Sequence, residues 1–245
     1  MKPYVLVTAS VSEEADGIIR EMGSPKTTRV GGRPIFSGNI GKRFVRLIET
    51  GPGMVNTAQA LTAVIEAGKP EAILMTGCAG GFARAEMDVG DIGIATEEND
   101  AQLGIESGEN AGSIIPLPFD LGVYDGECVK HRVPLNSELS LTALDILTSV
   151  FGGMPFNIVP GPFITVSTIT ATVLREQRLY DRFRPCMENM EGVAAAYVAK
   201  HYRIPFLEIR CASNLAGKRD RSSWDLPLAC KRSAEAAIVW LRNQV

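Results

Sequence analysis

Glu191 stands in Asn189-Met190-Glu191-Gly192, directly before the apolar run Val193-Ala194-Ala195-Ala196. Downstream, a strand predicted over 206–212 carries Arg210 and runs into Ser213-Asn214. A carboxylate at a helix start and an amide just past a strand form a layout suited to holding a ribose and a purine. Asn189 as an N-cap and Glu191 as a complement to the helix dipole account for the acid without any ligand. That account leaves Met190 unexplained, and it does not say why a cation and an amide reach the same sheet edge.

Two glycine motifs and an acid pair extend the constellation. Met75-Thr76-Gly77-Cys78-Ala79-Gly80-Gly81 follows an apolar strand, at the sheet edge where open α/β folds bind ligands, and its small residues let backbone N–H groups come close. A tight turn with glycines at positive φ is an equal alternative, since the motif is not GxGxxG and no Walker lysine follows. Cys78 reads as a small buried thiol rather than a nucleophile, because no histidine lies near it in sequence. Gly51-Pro52-Gly53-Met54 is a second strand-to-helix turn with backbone donors to offer. In Ser12-Glu13-Glu14-Ala15, Ser12 is an N-cap with acids in the first turn, or one acid, preferably Glu14, points over the sheet edge and activates a water.

The elements that must position these residues follow from periodicity. Short runs rich in Val, Ile and Leu alternate with amphipathic stretches, which predicts an α/β fold, and 245 residues fit one domain over 1–245. Strands are expected at 4–9, 33–38, 44–49, 72–76, 91–96, 163–167 and 206–212, and helices at 12–22, 54–67, 140–150, 173–183, 191–201 and 223–242. Residues 99–122 are the least patterned and read as a functional lid or interface arm.

Composition excludes several function classes. A 45% hydrophobic and 22% charged chain has an ordinary soluble core, and a net charge of -3 without basic clusters argues against nucleic acid as a partner. Five cysteines without CxxC spacing predict neither a disulfide framework nor a zinc site, and fit a reducing cytoplasm. The opening apolar run is too short for a signal segment, and no stretch approaches the roughly 20 apolar residues that span a bilayer. His131 and His201, the two histidines, sit in no ligand or triad pattern, so metal-dependent and serine or cysteine hydrolysis are disfavoured.

Taken together, the 12–15, 51–54, 76–81, 189–192 and 210–214 blocks resemble the nucleoside phosphorylase superfamily, in particular its hydrolytic branch of methylthioadenosine and S-adenosylhomocysteine nucleosidases. Within it the chain is most similar to the futalosine hydrolase branch. That similarity rests on Gly161-Pro162-Phe163-Ile164-Thr165-Val166-Ser167-Thr168, on Glu97-Glu98-Asn99 with Leu103-Gly104-Ile105-Glu106, and on Arg219-Asp220-Arg221 with Trp224-Asp225-Leu226. The resemblance implies a three-layer α/β/α fold around a central mixed twisted sheet, a purine nucleoside substrate, a homo-oligomer, and no cofactor or metal. It assigns Glu14 as general base for water, assisted by Arg210, and Glu191 as the carboxylate on the ribose hydroxyls, with Met190 against the sugar. It places Cys78, Ala79 and Gly80 near ribose and base, and aligns Thr170, Ala171 and Thr172 with the base-contacting segment, Asn189 being counted with Met190 and Glu191.

Two departures from the family pattern matter. Ala171 stands where the adenine-specific enzymes have an aromatic residue over the base. Asn214 stands where they have their catalytic aspartate. An amide cannot protonate N7, but its NH₂ donates to a purine O6 while its carbonyl accepts from N7–H, so Asn214 favours a 6-oxopurine such as hypoxanthine. An Asx-turn or helix cap near Gly217 is the structural alternative for Asn214. A phosphorylase and a non-catalytic nucleoside-binding module are the competing functions.

Overall fold

The computed structural model describes residues 2–107, 114–124 and 127–243. In chain order its elements are β1 (Val5–Ala9), α1 (Ser12–Glu21), β2 (Lys26–Val30), β3 (Arg33–Ile40), β4 (Arg43–Glu49), α2 (Met54–Ala67), β5 (Ala72–Gly81) and β6 (Ile92–Asp100). Five short strands follow: β7 (Ile105–Glu106), β8 (Ile114–Ile115), β9 (Gly122–Tyr124), β10 (Glu127–Val129) and β11 (Arg132–Pro134). The last part comprises α3 (Ser137–Phe151), β12 (Ile158–Thr165), α4 (Val173–Phe183), β13 (Met187–Asn189), α5 (Gly192–His201), β14 (Phe206–Leu215) and α6 (Leu226–Asn243).

The main sheet is mixed and runs β11-β6-β12-β13-β5-β1-β4-β3-β2. Strand β14 pairs parallel with β5 and antiparallel with β6, so β5, β14, β6, β12 and β13 close into a ring. Each ring strand gives one residue to a buried plug: Ala79, Ala212, Ala95, Phe163 and Met187. Closure leaves these strands no free edge, and it buries polar residues that an open sheet would turn to water.

Helices cover both faces, which is why β1 is buried at every position, Thr8 included. Alternate residues of a strand face opposite sides, and β1 divides accordingly. Val7 belongs to the core cluster that holds Ile18 of α1, Leu147 of α3 and Trp240 of α6, while Leu6 belongs to the cluster that holds Leu61 of α2 and Ala196 of α5. The three-layer expectation is therefore met.

The structure moves several boundaries. The strand expected at 72–76 continues through Gly81, so the Gly77-to-Gly81 motif is strand and not turn. Strand β6 runs to Asp100 and β14 to Leu215, while β12 begins at Ile158, ahead of the expected 163. Strand β2 was not expected because most of its residues are exposed and it carries no apolar run. Helices α2 and α4 match their predicted bounds. Of the arm at 99–122, residues 108–113 lie outside the described residues. Among the described residues no helix is long and apolar enough to cross a membrane.

Candidate active site

Glu14 lies in the first turn of α1 and is buried. Its Oε2 accepts from Ser10 N at 2.8 Å and its Oε1 from Cys78 N at 2.8 Å. Val11 rather than Ser12 occupies the N-cap, without a side-chain cap. Glu13, the other acid of the pair, is exposed and accepts from Ser12 Oγ at 3.2 Å. Gly77 makes this seat: a Cβ there would stand 2.5 Å from Glu14 Oε1, and its φ of 149° favours glycine.

Glu191 caps the other side. Its Oε1 accepts from Gly53 N at 2.9 Å, in the turn before α2, and its Oε2 accepts from Arg210 Nη2 at 3.2 Å and Met190 N at 3.3 Å. Arg210, 1% exposed, joins the two halves. It donates from Nε to Glu208 Oε1 at 2.7 Å and from Nη1 to the Cys78 carbonyl at 3.0 Å. Its link to Glu14 runs through the Cys78 peptide, which donates to Glu14 and accepts from Arg210. Burial alone would lower the pKa of Arg210, but the charges of Glu208, Glu191 and Glu14 outweigh it and hold the guanidinium protonated.

Asn214 is reached by a bulge. Strand β14 pairs Ala212 with Ala79 and Asn214 with Gly80, leaving Ser213 as the extra residue. A bulge re-aims the side chains beyond it, and here it sets Asn214 over Gly80. Ser213 Oγ donates to Asn214 Oδ1 at 2.9 Å, and Asn214 Nδ2 lies 3.5 Å from the point where a Gly80 Cβ would be. The NH₂ end donates to the Leu215 carbonyl at 3.4 Å and lies beside Gly80, where Glu188 approaches from the other strand.

The other predicted residues divide. Cys78, Ala79, Gly80 and Met190 belong to this cluster, and Cys78 Sγ sits 3.3 Å from Cys230 Sγ, a contact that with burial raises its pKa and leaves it a poor nucleophile. Thr170 is buried beside the base of β13, its N donating to Glu188 Oε1 at 3.2 Å. Ala171 and Thr172 are exposed, and Thr172 Oγ1 caps α4 by accepting from Arg175 N. Asn189 turns inward: its Oδ1 accepts from Glu191 N and Gly192 N, and its Nδ2 donates to Glu98. Glu191, not the expected Asn189, is the N-cap residue of α5, and the Asn189 side chain braces that turn from two residues earlier.

Sequence reading missed Glu98, Glu208 and Glu188. Glu98 and Glu208 are fully buried beneath Gly192, where a Cβ would collide with both carboxyls. Burial and then the charge of Glu208 push the Glu98 carboxyl well above the usual range, so Glu98 holds the proton that the pair shares. The available signal was the Glu208-Ile209-Arg210 spacing, which puts acid and cation on one strand face.

Glu98 keeps its proton in the folded chain at pH values where an unfolded glutamate has lost it. Its contribution to stability is complete below the ordinary glutamate pKa of about 4.3 and is lost as pH rises toward and through the raised folded value. Glu98→Gln cannot titrate, and it is expected to flatten the fall of unfolding free energy with pH by up to about 1.4 kcal/mol per pH unit inside that window. Chemical denaturation across a pH series reads this, and equal slopes in both proteins would refute the shared proton.

The arrangement has relatives of known name. The family model for the phosphorylase superfamily matches residues 3–241. A Listeria monocytogenes protein named 5′-methylthioadenosine/S-adenosylhomocysteine nucleosidase is 30% identical over 244 residues, covering 97% of this chain and 98% of its own. Among solved structures, the nucleosidase of that name from Neisseria meningitidis, in complex with methylthio-immucillin-A, superposes with a TM-score of 0.82 at 21% identity, covering 100% of both chains. Futalosine hydrolase of Helicobacter pylori superposes with a TM-score of 0.83 at 16% identity, covering 99% of this chain and 98% of its own. The structural likenesses show the fold; the family match over nearly the whole chain, with the near-full-length Listeria relative, shows that this chain belongs to the phosphorylase superfamily, as an N-glycosyl hydrolase.

Proposed function

We propose that the protein hydrolyses the N-glycosidic bond of a 6-oxopurine nucleoside, with futalosine as substrate and hypoxanthine as the released base. The observation that carries this reading is Asn214, whose NH₂ lies beside Gly80 with only a long bond of 3.4 Å to the Leu215 carbonyl and whose Oδ1 accepts from Ser213 Oγ. A donor there meets the O6 acceptor of hypoxanthine, whereas the 6-amino group of adenine would set donor against donor. Cleavage builds positive charge on the ribose and negative charge on the purine, so both ends need stabilisation. Glu191 grips the ribose hydroxyls and its charge favours the cationic ribosyl centre; Glu14 takes a proton from the water attacking the anomeric carbon; Asn214 holds the base as it leaves.

Hydrolysis is preferred to phosphorolysis because of what stands beside Glu14. A cavity of about 480 Å³ lined by Ser10, Ser12, Glu13, Arg33, Glu49 and Gly51 carries two acids. Its arginine is engaged with Gln59 and Asn56. An anion would be repelled there. For the far end of futalosine, a carboxyphenyl group, the segment after Asn214 offers Arg219 stacked on Trp224 and a cavity of about 340 Å³ lined by Arg221, Trp224, Leu226 and Pro227. Aromatic stacking and a charge-assisted pair suit such an acid.

Methylthioadenosine/S-adenosylhomocysteine nucleosidase is the second reading, favoured by the name of the Listeria relative. Base release from futalosine, inosine, methylthioadenosine and S-adenosylhomocysteine, with and without phosphate, separates the two. Hypoxanthine from futalosine, at a rate indifferent to phosphate, is expected. Adenine from methylthioadenosine with no hypoxanthine from futalosine would establish the second reading instead, and sugar phosphate among the products would overturn hydrolysis.

A further inference from the structure

Glu98 of β6 and Glu208 of β14 meet beneath Gly192, both fully buried. A Cβ on Gly192 would stand 2.7 Å from Glu208 Oε2 and closer still to Glu98 Oε1, so the two oxygens crowd a point that only glycine leaves free. The carboxyls hydrogen-bond to each other, and among the described residues no other donor reaches Glu208 Oε2. Two buried carboxyls this close stay together only with a proton between them. The catalytic roles assigned above use neither acid.

Two routes run from this pair, and both end on Glu191. The first is ionic. Arg210 donates from Nε to Glu208 Oε1 at 2.7 Å but from Nη2 to Glu191 Oε2 at 3.2 Å, so the guanidinium leans toward Glu208. The second route runs through the backbone. Glu98 accepts from Thr165 Oγ1 at 2.8 Å and from Asn189 Nδ2. Thr165 Oγ1 in turn accepts from Val193 N at 2.8 Å, and Asn189 Oδ1 accepts from Glu191 N at 2.9 Å and Gly192 N at 2.7 Å. These peptides open α5, where N–H groups have no partner within the helix and a side chain must supply one.

We propose that the Glu98–Glu208 pair positions the ribose carboxylate, Glu208 drawing Arg210 away from Glu191 while Glu98 fixes the backbone on which Glu191 stands. The proposal rests on Glu191 as the ribose carboxylate, and not on the identity of the base. With one proton the pair carries a single negative charge, seated on Glu208 against Arg210. Glu191 thereby keeps its own charge for the ribose hydroxyls and for the cationic ribosyl centre. Were position 208 neutral, the guanidinium would fall to Glu191 alone and quench that charge. Glu98 and Glu208 are thus positioning residues, and their effects are unequal: the charge must lie on the second.

The test compares kcat/KM for the ribo and 2′-deoxy forms of the nucleoside cleaved, futalosine on the reading above or methylthioadenosine on its rival. The proteins are wild type, Glu98→Gln, Glu208→Gln and, as the control for the ribose reading, Glu191→Gln; thermal midpoints report folding. Wild type is expected to prefer the ribo form by at least about tenfold, and Glu191→Gln to lose that preference. Glu208→Gln keeps an acceptor for Arg210 Nε and gives up only the charge, so its preference is expected to narrow by about tenfold, through kcat more than KM. Glu98→Gln keeps a donor toward Glu208 at the expense of the Asn189 bond; it is expected to melt lower but to hold its preference within about threefold of wild type. Glu208→Asp, with the charge kept and its reach shortened, is expected between the two and serves in place of Glu208→Gln if that variant does not fold. A merely structural pair would respond alike to two isosteric amides and would not set the response to a ribose hydroxyl. A preference within about threefold of wild type in the Glu208 variants, or an equal or greater loss in Glu98→Gln, overturns the role of the pair and leaves the ribose reading standing. An unchanged preference in Glu191→Gln overturns that reading and this proposal with it.

Discussion

Glu14→Gln is expected to lower kcat by about a hundredfold to ten-thousandfold, the range for losing a general base, with a modest change in KM. The geometry makes the result interpretable. Glu14 has one oxygen on Ser10 N and the other on Cys78 N, each at 2.8 Å. Glutamine offers a single acceptor, so one of those backbone donors will face an NH₂, at a cost of about 1–3 kcal/mol. The variant should therefore melt lower as well as turn over more slowly, and the two effects are separable. If the Cys78 stretch of β5 were displaced, binding of the free base over Gly80 would weaken with the rate. If only the base is lost, inhibition by hypoxanthine stays at the wild-type level while turnover collapses. Steady-state base release with a parallel inhibitor titration measures both, and a kcat within a few-fold of wild type would remove Glu14 from the mechanism.

The residues legible in the sequence are those that sit where chain direction changes. Glu14 follows a strand at the start of a helix, Glu191 directly precedes another, and Asn214 ends a strand; these boundaries are punctuated by glycines, caps and changes of period. The acids of strand interiors were illegible for a physical reason. An isolated polar residue in an apolar run reads as the solvent side of a half-buried strand, and Glu208 between Leu207 and Ile209 has that pattern; Glu98 stands in the polar run Thr96-Glu97-Glu98-Asn99-Asp100, which reads as the end of a strand. Only the pairing of β14 with both β5 and β6 buries them, and that long-range closure has no local signature. Glu188 lies in a three-residue strand, too short to carry any period. The Gly77-to-Gly81 motif misled in the opposite sense. Its glycines suggested a turn, whereas they leave room in an extended strand for Glu14 on one side and for Glu188 and Asn214 on the other. The same local rules that recover an element from its own residues thus fail where the need for a small residue comes from a neighbour.

Arg210→Met is expected to destabilise the protein by about 3–5 kcal/mol, the usual cost of leaving buried charge without its partner. Domain stabilities run from about 5 to 15 kcal/mol, so the variant would stand close to unfolding at working temperature. The size of the effect follows from how the one guanidinium is shared. Glu208 and Glu191 both bond to it, at 2.7 and 3.2 Å, and both are buried. Arg210→Lys should recover little, because a single ammonium cannot span Glu208, Glu191 and the Cys78 carbonyl as a planar fork does. Adding Glu208→Met to Arg210→Met removes one of the two orphaned carboxylates, and the double variant is expected to be more stable than Arg210→Met alone despite carrying one more substitution. Glu191 then remains unheld, so regained stability should not bring regained turnover. Denaturant titration of the two single variants and the double closes the cycle. A loss near or below about 1 kcal/mol for Arg210→Met, the scale of an exposed ion pair, would show that Arg210 does not neutralise the buried acids of the proposed ribose site.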